Sequence, residues 1–104
     1  MNPQNYIQIS GRLVADAKPN SGKTYARFSI AHNFGQDTPS LFMNCVVFQQ
    51  EFEKNKQSIP WDLLSKGTDI LLTGRLRPNN WTDDNGVERR GIDIIVDKIR
   101  ANDD

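Results

Sequence analysis

Apolar and polar side chains alternate along five segments of the chain, a pattern typical of β-strands that bury one face. In the second segment, Ala26, Phe28 and Ile30 fall on one side of the strand. Tyr25 and Arg27 fall on the other side. The alternation predicts five strands, at residues 5–14, 23–33, 41–49, 68–77 and 90–99. We therefore expect a sheet with an apolar inner face and a polar outer face.

The same alternation predicts which residues of the last two strands face the core. In the fourth strand, Leu76 has the parity of Ile70 and Leu72. In the fifth strand, Ile92 has the parity of Ile94. We expect all five of these side chains to be buried.

The alternation stops between the third and fourth strands, where we expect one short helix. Ser58 is placed to cap a helix over residues 61–66, and Gly67 is placed to end it. The turn-forming residues 83–86 predict a projecting hairpin over residues 78–89. Three strands, a helix and two strands are the element order of the OB-fold, a five-stranded Greek-key barrel. We predict an all-β OB-fold that forms one domain over residues 1–104.

Composition excludes several classes of function. The 104 residues carry 13 basic and 13 acidic side chains, so bulk charge alone does not indicate a nucleic-acid binder. One histidine, His32, and one cysteine, Cys45, offer no metal-binding spacing. We find no nucleophile–base pair and no phosphate-binding glycine loop. We therefore expect no enzyme activity, no cofactor and no metal.

Cysteine usage and hydropathy indicate where the protein works. A single cysteine excludes an intramolecular disulfide and suits a reducing cytoplasm. Cys45 lies in an apolar run, so we expect its thiol to be buried. No apolar run approaches the ~20 residues that a membrane-spanning helix needs. These features predict a soluble intracellular protein.

The outward positions of the predicted strands and hairpin carry arginines and aromatic rings. Single-stranded nucleic acid needs both, because cations pair with phosphates and bases stack on rings. Trp81 lies on a polar hairpin with little core to join, which favours a binding role. Tyr25 points outward, where stacking on a base and packing at a subunit interface are both open. The candidates for phosphate contact are Arg12, Lys23, Arg27, Arg75, Arg77, Arg89 and Arg90.

In the third strand, the pattern does not determine which set of side chains faces the core. Phe42 and Phe48 have the same parity, and Met43, Cys45 and Val47 form the opposite, apolar set. Either set is apolar enough to form the core, so the pattern alone does not say whether the two phenylalanines are exposed.

Several short motifs, in their order along the chain, resemble bacterial single-stranded DNA-binding proteins of the replication type. The resemblance covers nearly the whole chain from Tyr6 to Ile99. Its carriers are residues 9–13, 22–23, 26–31, 46–48, 64–67, 74–77 and 81–86. It implies an OB-fold that binds single-stranded DNA without sequence preference in replication, repair or recombination. It also implies a homo-oligomer, usually a tetramer, in the bacterial cytoplasm at the nucleoid.

The resemblance also implies roles for particular residues. By position, Phe42 and Phe48 match stacking sites on the third strand, and Trp81 matches one on the hairpin. Phe34 lies near the end of the second strand, where the family often has another aromatic residue. The family typically continues into an acidic tail that recruits replication and repair proteins. This chain stops at Asp104, so we expect a short form without that tail.

Two other functions of an OB-fold remain open at this point. One is a protein-interaction module, such as a primosome component, which the zero net charge and the missing tail favour. The other is an RNA-binding domain, since the same rings would stack on RNA bases and no residue clearly reads a 2′-hydroxyl.

Overall fold

The computed structural model describes residues 4–103, so residues 1–3 and Asp104, the two ends of the predicted domain, lie outside the description. Eight strands and two short helical segments follow one another along this part of the chain. They are β1 (Ile7–Leu13), β2 (Lys18–Pro19), β3 (Tyr25–His32), β4 (Leu41–Phe48), α1 (Gln49–Glu53), a 3-10 turn (Trp61–Leu63), β5 (Asp69–Pro78), β6 (Trp81–Thr82), β7 (Glu88–Arg89) and β8 (Ile92–Ala101).

The five long strands close into a barrel. Their order in the sheet is β1-β5-β8-β4-β3, with β2 at the edge, and β1 also pairs with β3. The β4–β8 pairing is parallel and the other pairings are antiparallel. The small β6–β7 ribbon projects from between β5 and β8 as the predicted hairpin. The predicted fold class, an OB-fold barrel with a short helix between the third and fourth long strands, is confirmed.

Alternation along the strands accounts for most of the core. Ala26, Phe28 and Ile30 are buried, as predicted for β3. On β4, Cys45 and Val47 face the core, which leaves the phenylalanines of that strand on the outer face. Cys45 is a free, buried thiol, as expected. Its burial, with a smaller contribution from the charge of Asp93, raises the thiol pKa to about 12.

The predicted helix at residues 61–66 is wrong in its bounds. The α-helix occupies Gln49–Glu53, directly after β4, and residues 61–63 form only a 3-10 turn. The N-cap of that turn is Pro60 and it has no side-chain cap, so Ser58 does not serve there. The helix forms earlier in the chain than predicted because α1 places Phe52 in the hydrophobic core.

Two residues predicted to be buried are exposed. Leu76 is 37% exposed and Ile92 is 54% exposed. The pairing of β1 with β5 ends at Gly74, so the following residues of β5 and their partners on β8 extend past the closed part of the barrel. Alternation predicts the side of the strand on which each side chain lies, but no further strand within residues 4–103 covers the two there.

Within residues 4–103, no helix has the length and hydropathy of a membrane span. The same residues contain no group of three or more His, Cys, Asp or Glu side chains that is arranged to hold a metal ion.

Candidate nucleic-acid interface

The outer surface of strands β3, β4, β8 and β5 forms a continuous sheet face, which we call the binding face. Registers across these strands place Arg27 opposite Val46, Val46 opposite Ile95, and Ile95 opposite Arg75. Val46 is fully buried although it belongs to the outward set of β4. The binding face therefore has an apolar patch of Val46 and Ile95 at its middle, with Arg27 on one side and Arg75 on the other.

Two aromatic rings and two guanidinium groups meet at one end of the binding face. Tyr25 and Phe48 are cross-strand partners, and their ring centroids are 5.2 Å apart at an interplanar angle of 52°. The guanidinium carbon of Arg27 lies 5.7 Å from the centroid of Tyr25. That of Arg77 lies 5.7 Å from the centroid of Phe48. Such distances suit cation–π attraction, so the four side chains support one another.

A buried carboxylate joins the same two arginines. Asp93 Oδ2 lies 3.4 Å from Arg27 Nη1 and 3.6 Å from Arg77 Nη2. Asn79 Nδ2 donates a hydrogen bond of 3.2 Å to the other carboxylate oxygen, Oδ1. The Asp93 side chain is fully buried, whereas both arginines remain partly exposed. The cations thus reach solvent while their anionic partner does not.

The other strand and hairpin arginines also have acidic partners. Arg75 Nη2 lies 3.2 Å from Glu51 Oε1, and Arg89 Nε lies 3.0 Å from Asp83 Oδ2. The hydrogen bond from Arg75 is the main cause that lowers the pKa of Glu51. A phosphate that approaches Arg75 or Arg89 therefore competes with a carboxylate of the same chain.

The hairpin presents Trp81 beside this surface. Asp83 organises the turn, because its carboxylate accepts hydrogen bonds from the backbone amides of Asn85 and Val87. These hydrogen bonds lower the pKa of Asp83, and the bond from the Val87 amide is the largest cause. The Trp81 indole is 52% exposed and lies close over the backbone of Gly91, where a Cβ would come within 3.0 Å of its Cζ3 atom. The indole therefore contacts the protein through part of its six-membered ring and leaves about half of its surface exposed to solvent.

The remaining predicted aromatic residues lie away from this cluster. Phe42 is 65% exposed and lies at the other end of β4 from Phe48, a separation of about 20 Å for six residues of strand. Phe34 is exposed in the loop after β3, where it contacts His32 edge-to-face at 4.7 Å. These rings lie at the far end of the binding face, Phe42 on β4 and Phe34 in the loop after β3.

Three predicted cations are not part of the paired network. Arg12 lies on β1 opposite Ala31, and Lys23 occupies the β2–β3 turn with φ +54. Arg90 follows the hairpin and lines a cleft with Leu76 and Ile92. Within the described residues, none of the three cations forms an ion pair.

Sequence reasoning missed several residues of the binding face. Asp93 has no predicted role, although a single acidic residue within the run Ile92–Val96 is a usable signal. Lys18 lies directly opposite Arg27 across the β2–β3 pairing and was not anticipated, because β2 is only two residues long. Asn79 and Glu51 become part of the face only through contacts between distant segments.

Comparison with known proteins gives consistent matches. The Single-strand binding protein family matches residues 4–101. The single-stranded DNA-binding protein of Borreliella burgdorferi is 33% identical over 107 residues, which cover 92% of this chain and 68% of the relative. Single-stranded DNA-binding protein 2 of Streptomyces coelicolor is 29% identical, covering 97% of this chain and 54% of that protein. The chain thus spans 54–68% of the length of these two relatives.

Solved structures show the same fold. A mitochondrial single-stranded DNA binding protein from S. cerevisiae superposes with a TM-score of 0.68 at 15% identity, covering 93% of each chain. A Plasmodium falciparum protein described as an SSB complex with ssDNA gives a TM-score of 0.67 at 24% identity, covering 99% of this chain and 100% of the other.

Proposed function

This chain belongs to the single-strand binding protein family, and we propose that it binds single-stranded DNA without sequence preference. The observation that carries the proposal is the cluster of Tyr25, Phe48, Arg27 and Arg77 on the binding face. Rings accept any base by stacking, and guanidinium groups bind phosphate while also stacking on flat surfaces. Binding itself is the proposed activity, with no covalent bond made or broken.

We assign the stacking roles by position on the binding face. Phe48 and Tyr25 offer one platform, and Phe42 offers a second at the other end of β4. Trp81 offers a third on the hairpin, with Phe34 beside the far end of β3. Platforms separated along the face suit an extended strand, because successive bases reach different rings while the backbone runs between them. Such contacts do not distinguish one base from another.

We assign phosphate contacts to the cations that surround these rings. They are Arg12, Lys23, Arg27, Arg75, Arg77, Arg89 and Arg90. Arg27, Arg75, Arg77 and Arg89 hold carboxylate partners within the chain, so fewer counterions are released on binding than the number of arginines suggests. We therefore expect stacking to contribute a large share of the affinity of this electrically neutral protein.

A fluorescence titration with a thymidine oligomer tests the proposal. Stacking of a base on the exposed indole of Trp81 is expected to quench its emission, and Trp81→Phe is expected to abolish most of the quenching. Trp61 packs against the hydrophobic core and serves as the internal control, since its emission is expected to change little. Absence of both quenching and binding at low salt would contradict the proposal, and tighter binding of a matched RNA oligomer would favour the RNA-binding alternative.

We also propose that the chain self-associates. One edge of β1 pairs with β5 along Ile7 to Arg12, but the other edge meets β3 only at Arg12 and Leu13. Near this edge of β1, the exposed side chains of Leu76 on β5 and Ile92 on β8 line a cleft of about 440 Å³. An unpaired strand edge next to exposed apolar side chains is a favourable surface for pairing with a second copy.

Sedimentation equilibrium measures the assembly directly. We expect a mass that is two or four times that of one chain at micromolar concentration. Ile92→Asp is expected to shift the equilibrium toward monomer, because it places a charge in the apolar cleft, whereas Asp84→Asn on the exposed turn leaves the mass unchanged. A wild-type protein that stays monomeric at tens of micromolar would contradict self-association without affecting the DNA-binding proposal.

The biological setting follows from the proposed activity. Coating of exposed strands prevents re-pairing and protects bases during replication, repair, recombination or DNA transfer. We place this activity in the bacterial cytoplasm, at the nucleoid, because the relatives named above are bacterial.

A further inference from the structure

Asp93 has an unusual environment for a residue in a proposed DNA-binding surface. Among residues 4–103 it is the only polar or charged residue that is fully buried. An ionised carboxylate is costly to bury unless cations and hydrogen-bond donors compensate it. Here two half-exposed guanidinium groups, from Arg27 and Arg77, and the amide of Asn79 provide that compensation.

Two cations share this single anion. Arg27 and Arg77 both approach Oδ2, at 3.4 and 3.6 Å, while Oδ1 is occupied by Asn79. The group of three charged side chains therefore carries one net positive charge instead of two. Its anion is fully buried and is therefore shielded from an approaching phosphate, in contrast to Glu51 and Asp83, which remain partly exposed.

The same contacts bring the two guanidinium groups to one carboxylate oxygen. Arg27 and Arg77 point toward each other across β4 and β8 because the carboxylate lies between them. In that position each guanidinium lies 5.7 Å from a ring of the stacking platform, Tyr25 for one and Phe48 for the other. The planar fork of arginine loses little freedom when it is held in this way.

We propose that Asp93 is a positioning residue that aligns Arg27 and Arg77 with the stacking platform and cancels the charge of one of them, so that this part of the binding face engages one phosphate instead of two. The inference rests on the proposed binding of single-stranded DNA. It predicts that Asp93 lowers the salt dependence of binding while improving the part of the affinity that salt does not screen.

The test is Asp93→Asn, which keeps the shape of the side chain and removes its charge. For single strands the slope of log K against log salt is about −0.7 per phosphate engaged. With a thymidine oligomer, we expect the slope for the variant to be steeper by about 0.7. Binding of the variant is expected to equal or exceed wild type at low salt and to be weaker at high salt, because the guanidinium planes are no longer aligned.

Asp97→Asn is the matched control. It makes the same charge change on the same strand, but Asp97 accepts a hydrogen bond of 2.6 Å from Thr73 Oγ1 and forms no ion pair with a described arginine. We expect its slope to equal that of wild type. A wild-type slope in Asp93→Asn, or an equal change in both variants, overturns the inference.

The double variant Asp93→Asn/Arg27→Gln provides a second, independent test if the single variant does not fold. It leaves one half-exposed arginine beside a neutral amide, so no buried charge is unpaired, and the net charge of the group is again one. We expect a slope equal to that of wild type. If Asp93 had only a structural role, the loss of one arginine would flatten the slope by about 0.7. Failure of wild type itself to bind the oligomer would reject the proposed function and not this inference alone.

Discussion

Replacing Phe48 with alanine is expected to lower the affinity for a thymidine oligomer about 5- to 140-fold. A stacked base contributes ~1–3 kcal/mol by alanine substitution, and each 1.4 kcal/mol is a factor of ten in affinity. Phe48 also contacts the rings and cations beside it, Tyr25 at 5.2 Å and Arg77 at 5.7 Å. Its removal therefore also takes a ring contact from Tyr25 and a cation–π contact from Arg77, so the expected loss lies toward the upper end of this range.

The measurement is a binding isotherm at two salt concentrations, one low and one high. Loss of stacking is not screened by salt, so we expect a similar fold-change at both. Leu41→Ala is the control, since Leu41 is an exposed apolar residue on the same strand with the opposite parity. Affinity of Phe48→Ala within twofold of wild type, with the protein still folded by circular dichroism, would favour the protein-interaction alternative.

Replacing Gly74 with alanine is expected to destabilise the barrel by about 3 kcal/mol or more. A Cβ at this position would lie 2.2 Å from the backbone oxygen of Ile95 and 3.0 Å from Ile94 Cγ2. The obstacle is the backbone of β8, so β5 and β8 must separate to accept the methyl group. Overpacking that cannot relax by side-chain rotation belongs at the upper end of the usual 1–3 kcal/mol range. Gly74 also lies at the irregularity in the β5–β8 register, where the strand bends.

Thermal unfolding followed by circular dichroism measures the effect. A loss of about 3 kcal/mol corresponds to a decrease in Tm of roughly 12–24 °C for a domain of this size. Gly22→Ala is the matched control, because Gly22 has a negative φ and the nearest atom to its added Cβ is 3.9 Å away. We expect that variant to be as stable as wild type or more stable by about 0.4–1 kcal/mol. Equal melting temperatures for the two variants would show that β5 and β8 are not packed as closely as described.

The strands were predictable because alternation is a local property. The sequence Tyr25–His32 places alternate side chains on opposite faces whatever the rest of the chain does. The helix at Gln49–Glu53 was not predictable in the same way. It lacks a side-chain cap and follows β4 without a break, and it forms where the barrel admits Phe52 to its core. Only the assembled barrel contains the space that Phe52 fills.

The candidate site was predictable in its residue types and less so in its arrangement. Outward parity was enough to select Arg27 and Arg77 as cations of the binding face. Their shared contact with Asp93 joins segments separated by 66 residues in the case of Arg27. No local pattern specifies such a contact. The same limit explains why Lys18 was missed and why the pairing of Arg75 with Glu51, 24 residues away, was not foreseen.

The sequence by itself determined the order of the five long strands along the chain and the alternation of apolar and polar side chains within each strand. It also determined that rings and arginines occupy the outward positions. These features depend on spacing along a single segment and on the chemistry of each side chain. Tertiary structure decided which set of β4 faces the core, how far the barrel covers Leu76 and Ile92, and which carboxylate pairs with each arginine. These features depend on closure of the sheet, because burial and ion pairing are properties of neighbours that are distant in the chain.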